Sequence, residues 1–178
     1  METYLRRKFF RYLLGCPFQP AKKNQTGEML LVKGGMIKWG TFSVSLFFMI
    51  SLVLISLFSD DPFTEIQFAL ILTVALFLGL GCLALHLSKI VISEAAITSY
   101  KWYGKKSIRF SDIKEVDYTS FFGGCIVLKD GDKSVWVPIE NVGTAEFVTL
   151  LCEKLGREQC GKAVQAIYTR KQELARFM

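Results

Sequence analysis

The chain is 178 residues long, 51% hydrophobic and only 21% charged, with a formal net charge of +6. About a quarter of it is apolar enough to enter a bilayer, which leaves room for one small soluble domain of roughly 70–90 residues. The basic excess sits mostly in the first 38 residues, where eight Lys/Arg stand against Glu2 and Glu28, and it argues for anionic headgroups over nucleic acid as a counterpart.

Residues 1–38 read as a basic cytoplasmic segment. Arg6-Arg7 and the stretch Leu13-Leu14-Gly15-Cys16 resemble pieces of an export signal and a lipoprotein box. Either needs an apolar core of 7–15 residues, and Arg11 interrupts it. The better reading is an amphipathic helix from Thr3 to Leu14, with Leu5, Phe9 and Leu13 on one stripe. Arg6, Arg7, Lys8 and Arg11 then suit a helix lying on a membrane surface, with packing on the soluble domain as the competing expectation. Residues 15–28 read as a loop.

Residues 39–87 carry two uncharged runs, 39–58 and 66–87, of twenty and twenty-two residues, around an acidic break at 59–65. A bilayer core of about 30 Å needs about 20 helical residues, and in lipid only a helix satisfies its own backbone, so a transmembrane helical hairpin is expected. Basic flanks and an acid-only break place both termini in the cytoplasm, with Trp39 as an interfacial anchor. His86 is the one ionisable residue within the runs and lies near their inner end, so it reads as interfacial. Ala75-x-x-x-Gly79 offers a close-approach step between helices, or for a homo-oligomer.

Beyond residue 88 the pattern turns to short strands. Residues 89–93, 97–103 and 107–110 read as three of them, and residues 111–116 carry a short turn into a fourth that ends around Thr119. Cys125–Lys129 and Lys133–Val137 form a hairpin across Asp130-Gly131-Asp132, the acids being turn residues. Phe147, Val148, Leu151 and Leu155 then give helical spacing over 144–155, with Cys152 expected to be buried. Six strands followed by one amphipathic helix predict a strongly bent antiparallel sheet plugged by that helix. Tyr118 and Trp136 are expected in its core. Residues 157–178 form a further amphipathic helix or tail. The five cysteines show no C-x-x-C spacing and suit free thiols in a reducing compartment.

The succession Ile97-Thr98-Ser99-Tyr100-Lys101-Trp102-Tyr103-Gly104, Ser107-Ile108-Arg109-Phe110-Ser111-Asp112-Ile113-Lys114-Glu115-Val116 and Val135-Trp136-Val137-Pro138 resembles the bacterial pleckstrin-homology-like domains that follow a two-helix membrane anchor. The resemblance covers 89–156 and implies a domain over 88–156 that binds or scaffolds. Such domains have seven strands where six are legible here, so it also implies either an incomplete barrel or a hidden strand near Met29 to Lys33. In eukaryotic relatives of that fold, a basic loop between the first strands receives phosphoinositides. Lys101, Lys105, Lys106 and Arg109, with Lys89 beside the bilayer, are only similar to that pattern, and solvated lysines protecting a sheet edge are the competing reading.

No nucleophile motif, phosphate loop or metal-ligand spacing occurs, and the soluble part has no histidine, so no enzyme, cofactor or metal is expected. The sequence therefore predicts an α+β inner-membrane protein: a helical hairpin followed by a PH-like sheet or barrel capped by a helix. It would act on membrane lipids or a protein partner, with no nucleic acid. The rivals are an oligomeric transport or pore protein, and a membrane-stress or immunity protein acting through its hairpin.

Overall fold

A computed structural model describes residues 2–58 and 65–177. The break between the apolar runs lies at 59–64, outside the described residues. The fold is α+β, with antiparallel sheets and two helices long and apolar enough to cross a membrane. It divides into two compact units, residues 1–34 with 88–178, and residues 35–87.

The second unit consists of α2 (Gly35–Phe58) and α3 (Glu65–Leu87). Their most apolar windows, Ile37–Ile55 and Ala69–Leu87, have mean hydropathies of 1.7 and 2.4. The described side chains of both helices are mostly exposed. The start of α2 lies beside the end of α3: Lys38 Nζ donates to the His86 carbonyl (3.2 Å) and the Phe42 and His86 rings are 6.5 Å apart. His86 Nδ1 also lies 3.1 Å from its own helix carbonyl at Cys82. Gly79 lines the groove between the helices with Phe42, Leu46 and Met49.

In the first unit a long antiparallel sheet runs β1 (Lys22–Lys23), β2 (Met29–Lys33), β3 (Lys89–Ile92), β4 (Ala96–Lys101) and β5 (Gly104–Arg109). A second sheet runs β6 (Glu115–Thr119), β7 (Cys125–Lys129) and β8 (Ser134–Pro138), while β9 (Asn141–Val142) joins the β1 edge of β2. The six strands expected from sequence are all present. β1, β2 and β9 are additional, so the count of six is corrected to nine among the described residues. The hidden strand anticipated near Met29 to Lys33 is β2. It pairs with β3, from which residues 35–87 separate it in the sequence, Leu31 opposite Ile90.

Alternation along each strand turns one face inward. Leu31, Ile90, Ile92, Ile97 and Ile108 from the long sheet meet Val116, Ile126, Leu128, Val135 and Val137 from the short one. Helix α4 (Thr144–Leu155) closes this core with Phe147, Val148 and Leu151, all buried, as its spacing requires. It starts after Gly143, whose φ of +85° favours glycine, and stops at Gly156, with a φ of +90°.

Helix α1 (Glu2–Gly15) packs on the folded unit and on α5 (Gly161–Ala175), so the packing alternative describes it. The face turned inward carries Phe10 and Leu14; Phe9 is exposed. Of the expected stripe of Leu5, Phe9 and Leu13, Phe9 is corrected to exposed, Leu13 is half-buried, and the side chain of Leu5 lies outside the described ones. The Phe10 ring stacks on Phe177 at 5.3 Å, and Arg11 Nη2 donates to the Phe177 carbonyl (3.1 Å). Three further expectations change. Tyr118 and Trp136 are exposed, because Trp136 alternates with buried Val135 and Val137, while the Tyr118 hydroxyl lies over Gly124 near the end of β6. Cys152 is half-buried; it is Cys160, 0% exposed, that fills the core.

Candidate functional site

The basic residues singled out from sequence lie on the β3–β4–β5 ribbon, and the pairing register decides which of them meet. Lys89 is opposite Tyr100, and Tyr100 is opposite Lys105. Directly opposed residues project from one face. The outer face therefore carries Lys89, Tyr100 and Lys105, with Lys89 Nζ 5.4 Å from the Tyr100 ring centroid, a cation–π contact. Arg109 shares that face but sits opposite Ala96, at the far end of the ribbon, about 13 Å along the strand. Lys106 is opposite Ser99 and so projects from the inner face, as does Lys101, two residues on. The five cations thus form no single cluster. Lys89 and Lys105 gather on one face, Lys101 and Lys106 on the other, and Arg109 stands apart.

The turn does not fall in the gap 104–106 left between the expected strands 97–103 and 107–110. Lys101 pairs with Gly104, which leaves Trp102 and Tyr103 as the two-residue loop. Gly104, the first residue after the loop, has a φ of +146°, a conformation that favours glycine. Trp102 is 60% and Tyr103 63% exposed, their rings edge-to-face at 5.5 Å, and Lys101 Nζ lies 5.6 Å from the Tyr103 centroid. The result is a tip with two large aromatics in water, flanked by Lys101, Lys105 and Lys106.

The inner face of the long sheet changes character toward that tip. Ile92, Ile97 and Ile108 form one apolar layer; Ile90, Ser99 and Lys106 form the next, followed by Lys101. On β2 the same face passes from Leu31, fully buried, to Lys33. Lys33 Nζ pairs with Glu140 Oε2 at 3.3 Å. Asn141, opposite Lys33, is buried, and so is the Cys125 thiol, whose pKa burial pushes up.

Elsewhere several charged groups are engaged with one another. Lys162 Nζ meets Asp117 Oδ1 at 2.8 Å, and Arg170 contacts Glu173 (3.0 Å) while donating to the Gly123 carbonyl (3.0 Å). These contacts pin α5 along β6 and the turn after it. Lys162 and the Tyr118 amide hold the Asp117 carboxyl below its usual range. Asp130 Oδ1 accepts the Lys133 amide (3.0 Å), the turn role expected of it. Cys160 is pushed up to about 12 by burial and by the adjacent Cys152 thiol. Among the described residues no group of three His, Cys, Asp or Glu is placed to hold a metal ion. On α1, Arg7, Lys8 and Arg11 are exposed; the side chain of Arg6 lies outside the described ones.

Sequence reasoning found the lysines and missed Lys33, Asn141 and the exposure of Trp102 and Tyr103. Two residues of β9 carry no periodicity, so nothing in the pattern joined Asn141 to Lys33. No family model, no curated protein and no solved structure matches this chain.

Proposed function

We propose that the protein is a membrane-anchored binding and scaffolding module, without catalytic activity. In this reading α2 and α3 are a transmembrane hairpin, and the sheet unit is a PH-like domain at the cytoplasmic face of the inner membrane, where both termini lie. The observation that carries it is the tip of the β4–β5 ribbon. Two exposed aromatics with amphipathic rings, set among Lys101, Lys105 and Lys106, are the chemistry of a headgroup layer. Each lysine near an anionic surface adds about 1 kcal/mol of attraction, screened by salt. A domain already tethered through α2 and α3 gains orientation from such a contact more than affinity.

The reading is tested on the full-length protein in nanodiscs, with Trp39 and Trp136 replaced by Phe so that Trp102 alone reports. Brominated lipids should quench Trp102 in discs containing phosphatidylglycerol at low salt. High salt or Lys105→Glu with Lys106→Glu should abolish the effect. An unquenched Trp102 in both neutral and anionic discs removes the lipid reading. A protein partner would then be favoured by α5, where Val164 and Tyr168 stand exposed one helical turn apart.

A further inference from the structure

The unit of α2 and α3 holds a pair of metal-ligating side chains that the proposed function does not use. Cys82 and His86 lie at i and i+4 on α3, the spacing at which two side chains on one helical face share an ion. Cys82 Sγ is 3.9 Å from His86 Nδ1. Two ligands on one tetrahedral zinc ion stand about 3.6 Å apart, given bonds of about 2.3 Å to sulfur and about 2.0 Å to nitrogen. Thiol and imidazole are thus already gathered. His86 Nδ1 also lies 3.1 Å from the Cys82 carbonyl. In the neutral ring that contact holds the proton on Nδ1 and leaves the lone pair on Nε2, the way metal-ligating histidines are oriented through their other nitrogen.

Within one chain the set stops at two. Among the described residues no third His, Cys, Asp or Glu joins the pair, and a structural zinc site takes four ligands. The rest of the stripe indicates where the others come from. Ala75, Gly79, Cys82 and His86 recur at i, i+4, i+7 and i+11, within about 60° of one another around α3. A Cβ added to Gly79 would meet nothing within 4 Å, so packing against α2 does not require a glycine there. Glycine weakens a helix, and a bare backbone facing open space on the ligand stripe lets another helix approach closely. Cys82 is half-buried and His86 exposed, so both are within reach from that side.

We infer that Cys82 and His86 are one half of a tetrahedral zinc site, completed by the same two residues of a second copy of this chain packed α3 against α3. A two-fold contact presents one surface to itself, so an ion on the axis meets the same pair from each side. The donor set is then two thiolates and two imidazoles, a recurrent structural zinc set. Binding releases the two thiol protons, and the two sulfur anions balance the double positive charge of the ion. That balance suits an apolar surrounding, where an uncompensated charge is costly. A second copy is favoured over a foreign helix because symmetry alone supplies both missing ligands in the right kinds. The inference goes beyond the binding-module reading and does not depend on the Trp102–Tyr103 tip meeting lipid.

The test uses the full-length protein in detergent, stripped with a chelator and titrated with Co2+ as a spectroscopic stand-in for Zn2+. The wild type should take one ion per two chains, with the thiolate-to-cobalt charge-transfer band and the intense visible absorption of tetrahedral cobalt, both removed by added Zn2+. Sedimentation equilibrium should show the dimer association constant rising about tenfold or more with Zn2+ and falling back with chelator. Cys82→Ser and His86→Asn should each lose the tetrahedral spectrum and the response to zinc. Gly79→Leu keeps both ligands but fills the approach, and should weaken both readouts. Cys152→Ser, at the half-buried thiol of the other unit, should change neither. Metal-free variants should melt where the metal-free wild type does, which separates ligand loss from misfolding. Quenching of Trp102 should persist in Cys82→Ser, so this inference and the lipid reading fail separately. No binding, one ion per chain, a tetrahedral spectrum that survives both ligand variants, or a dimer indifferent to zinc overturns the inference.

Discussion

The residues before the apolar helices and those after them fold into one unit but contribute to it in different ways. The later segment supplies β3 to β9, α4 and α5, mostly through neighbours in sequence such as the β4–β5 and β7–β8 hairpins. The earlier segment supplies β2, bounded by β3 on one side and by β1 and β9 on the other, and α1 laid on α5. Almost every contact that anchors residues 1–34 joins positions far apart in the chain: Leu31 to Ile90, Lys33 to Asn141, Phe10 to Phe177. Such contacts cost loop-closure entropy before they return stability, so the earlier segment is expected to dock last. What reads as a detached basic arm is a built-in part of the sheet.

The most drastic way to break that comparison is removal. A chain beginning at Gly35 loses β2 and leaves β3 as an unpaired edge with Ile90 and Ile92 uncovered. Limited proteolysis in detergent should digest its sheet unit rapidly where the full chain resists. Equal resistance would show that the later segment folds alone. A point substitution asks the same question more gently. Leu31→Ala in β2 and Ile108→Ala in β5 both truncate side chains exposed by 2% or less. Each should lower stability by about 2–5 kcal/mol, read as thermal or urea unfolding. A cost for Leu31→Ala well below 1 kcal/mol, with the full cost at Ile108, would make β2 an accessory.

The seam between the segments has its own probe. Gly143 adopts a φ of +85°, and a Cβ there would meet Ala21 from the earlier segment, 2.6 Å from its Cα. The Ala21 N–H also donates to Glu146 Oε2 at 3.0 Å, so the chain cannot simply move away. Gly143→Ala should cost about 1–2 kcal/mol from backbone conformation alone, with the collision adding to it. Pairing it with Ala21→Gly should recover only the part due to the Ala21 side chain. Strict additivity of the two substitutions would mean that residues 1–34 do not press on the start of α4.

The two segments also differ in how far their sequences disclose them. Helix α4 was legible to its bounds, because Phe147, Val148, Leu151 and Leu155 repeat at the helical period and glycines stand at both ends. The β7–β8 hairpin was legible from Asp-Gly between alternating strands. The five-residue β2 was legible only as a suspicion, since Met-Leu-Leu-Val-Lys is too short to show a period. β1 and β9, two residues each, were invisible because tertiary pairing alone makes them strands. The site divides the same way. Lysines are visible as letters, yet whether Lys105 and Lys106 face together depends on a register that a single residue reverses. Asn141 comes beside Lys33 only because β9 pairs with β2.

The smallest expected effect lies wholly within the later segment, at the Lys162–Asp117 pair that fastens α5, and with it α1, to β6. Its hydrogen bond holds the Asp117 carboxyl below its ordinary value of 3.8 and raises Lys162 above 10.5. A lowered acid pKa stabilises the fold above the unfolded value and loses that contribution as pH falls through the folded one. A raised lysine pKa contributes below the unfolded value and loses it as pH rises through the folded one. The pair should therefore act in full between the two unfolded values, about 3.8 and 10.5, and fade as pH moves outside that window. Both groups are solvent-accessible, so the effect is small and screened by salt. Asp117→Asn should lower the thermal midpoint slightly at pH 7, and the difference from the wild type should shrink as the medium is acidified through the folded carboxyl's titration. A difference that grows on acidification would mean that Asp117 is needed protonated, and α5 would then be held to the sheet by the Gln159 and Arg170 hydrogen bonds to the Ile113 and Gly123 carbonyls instead.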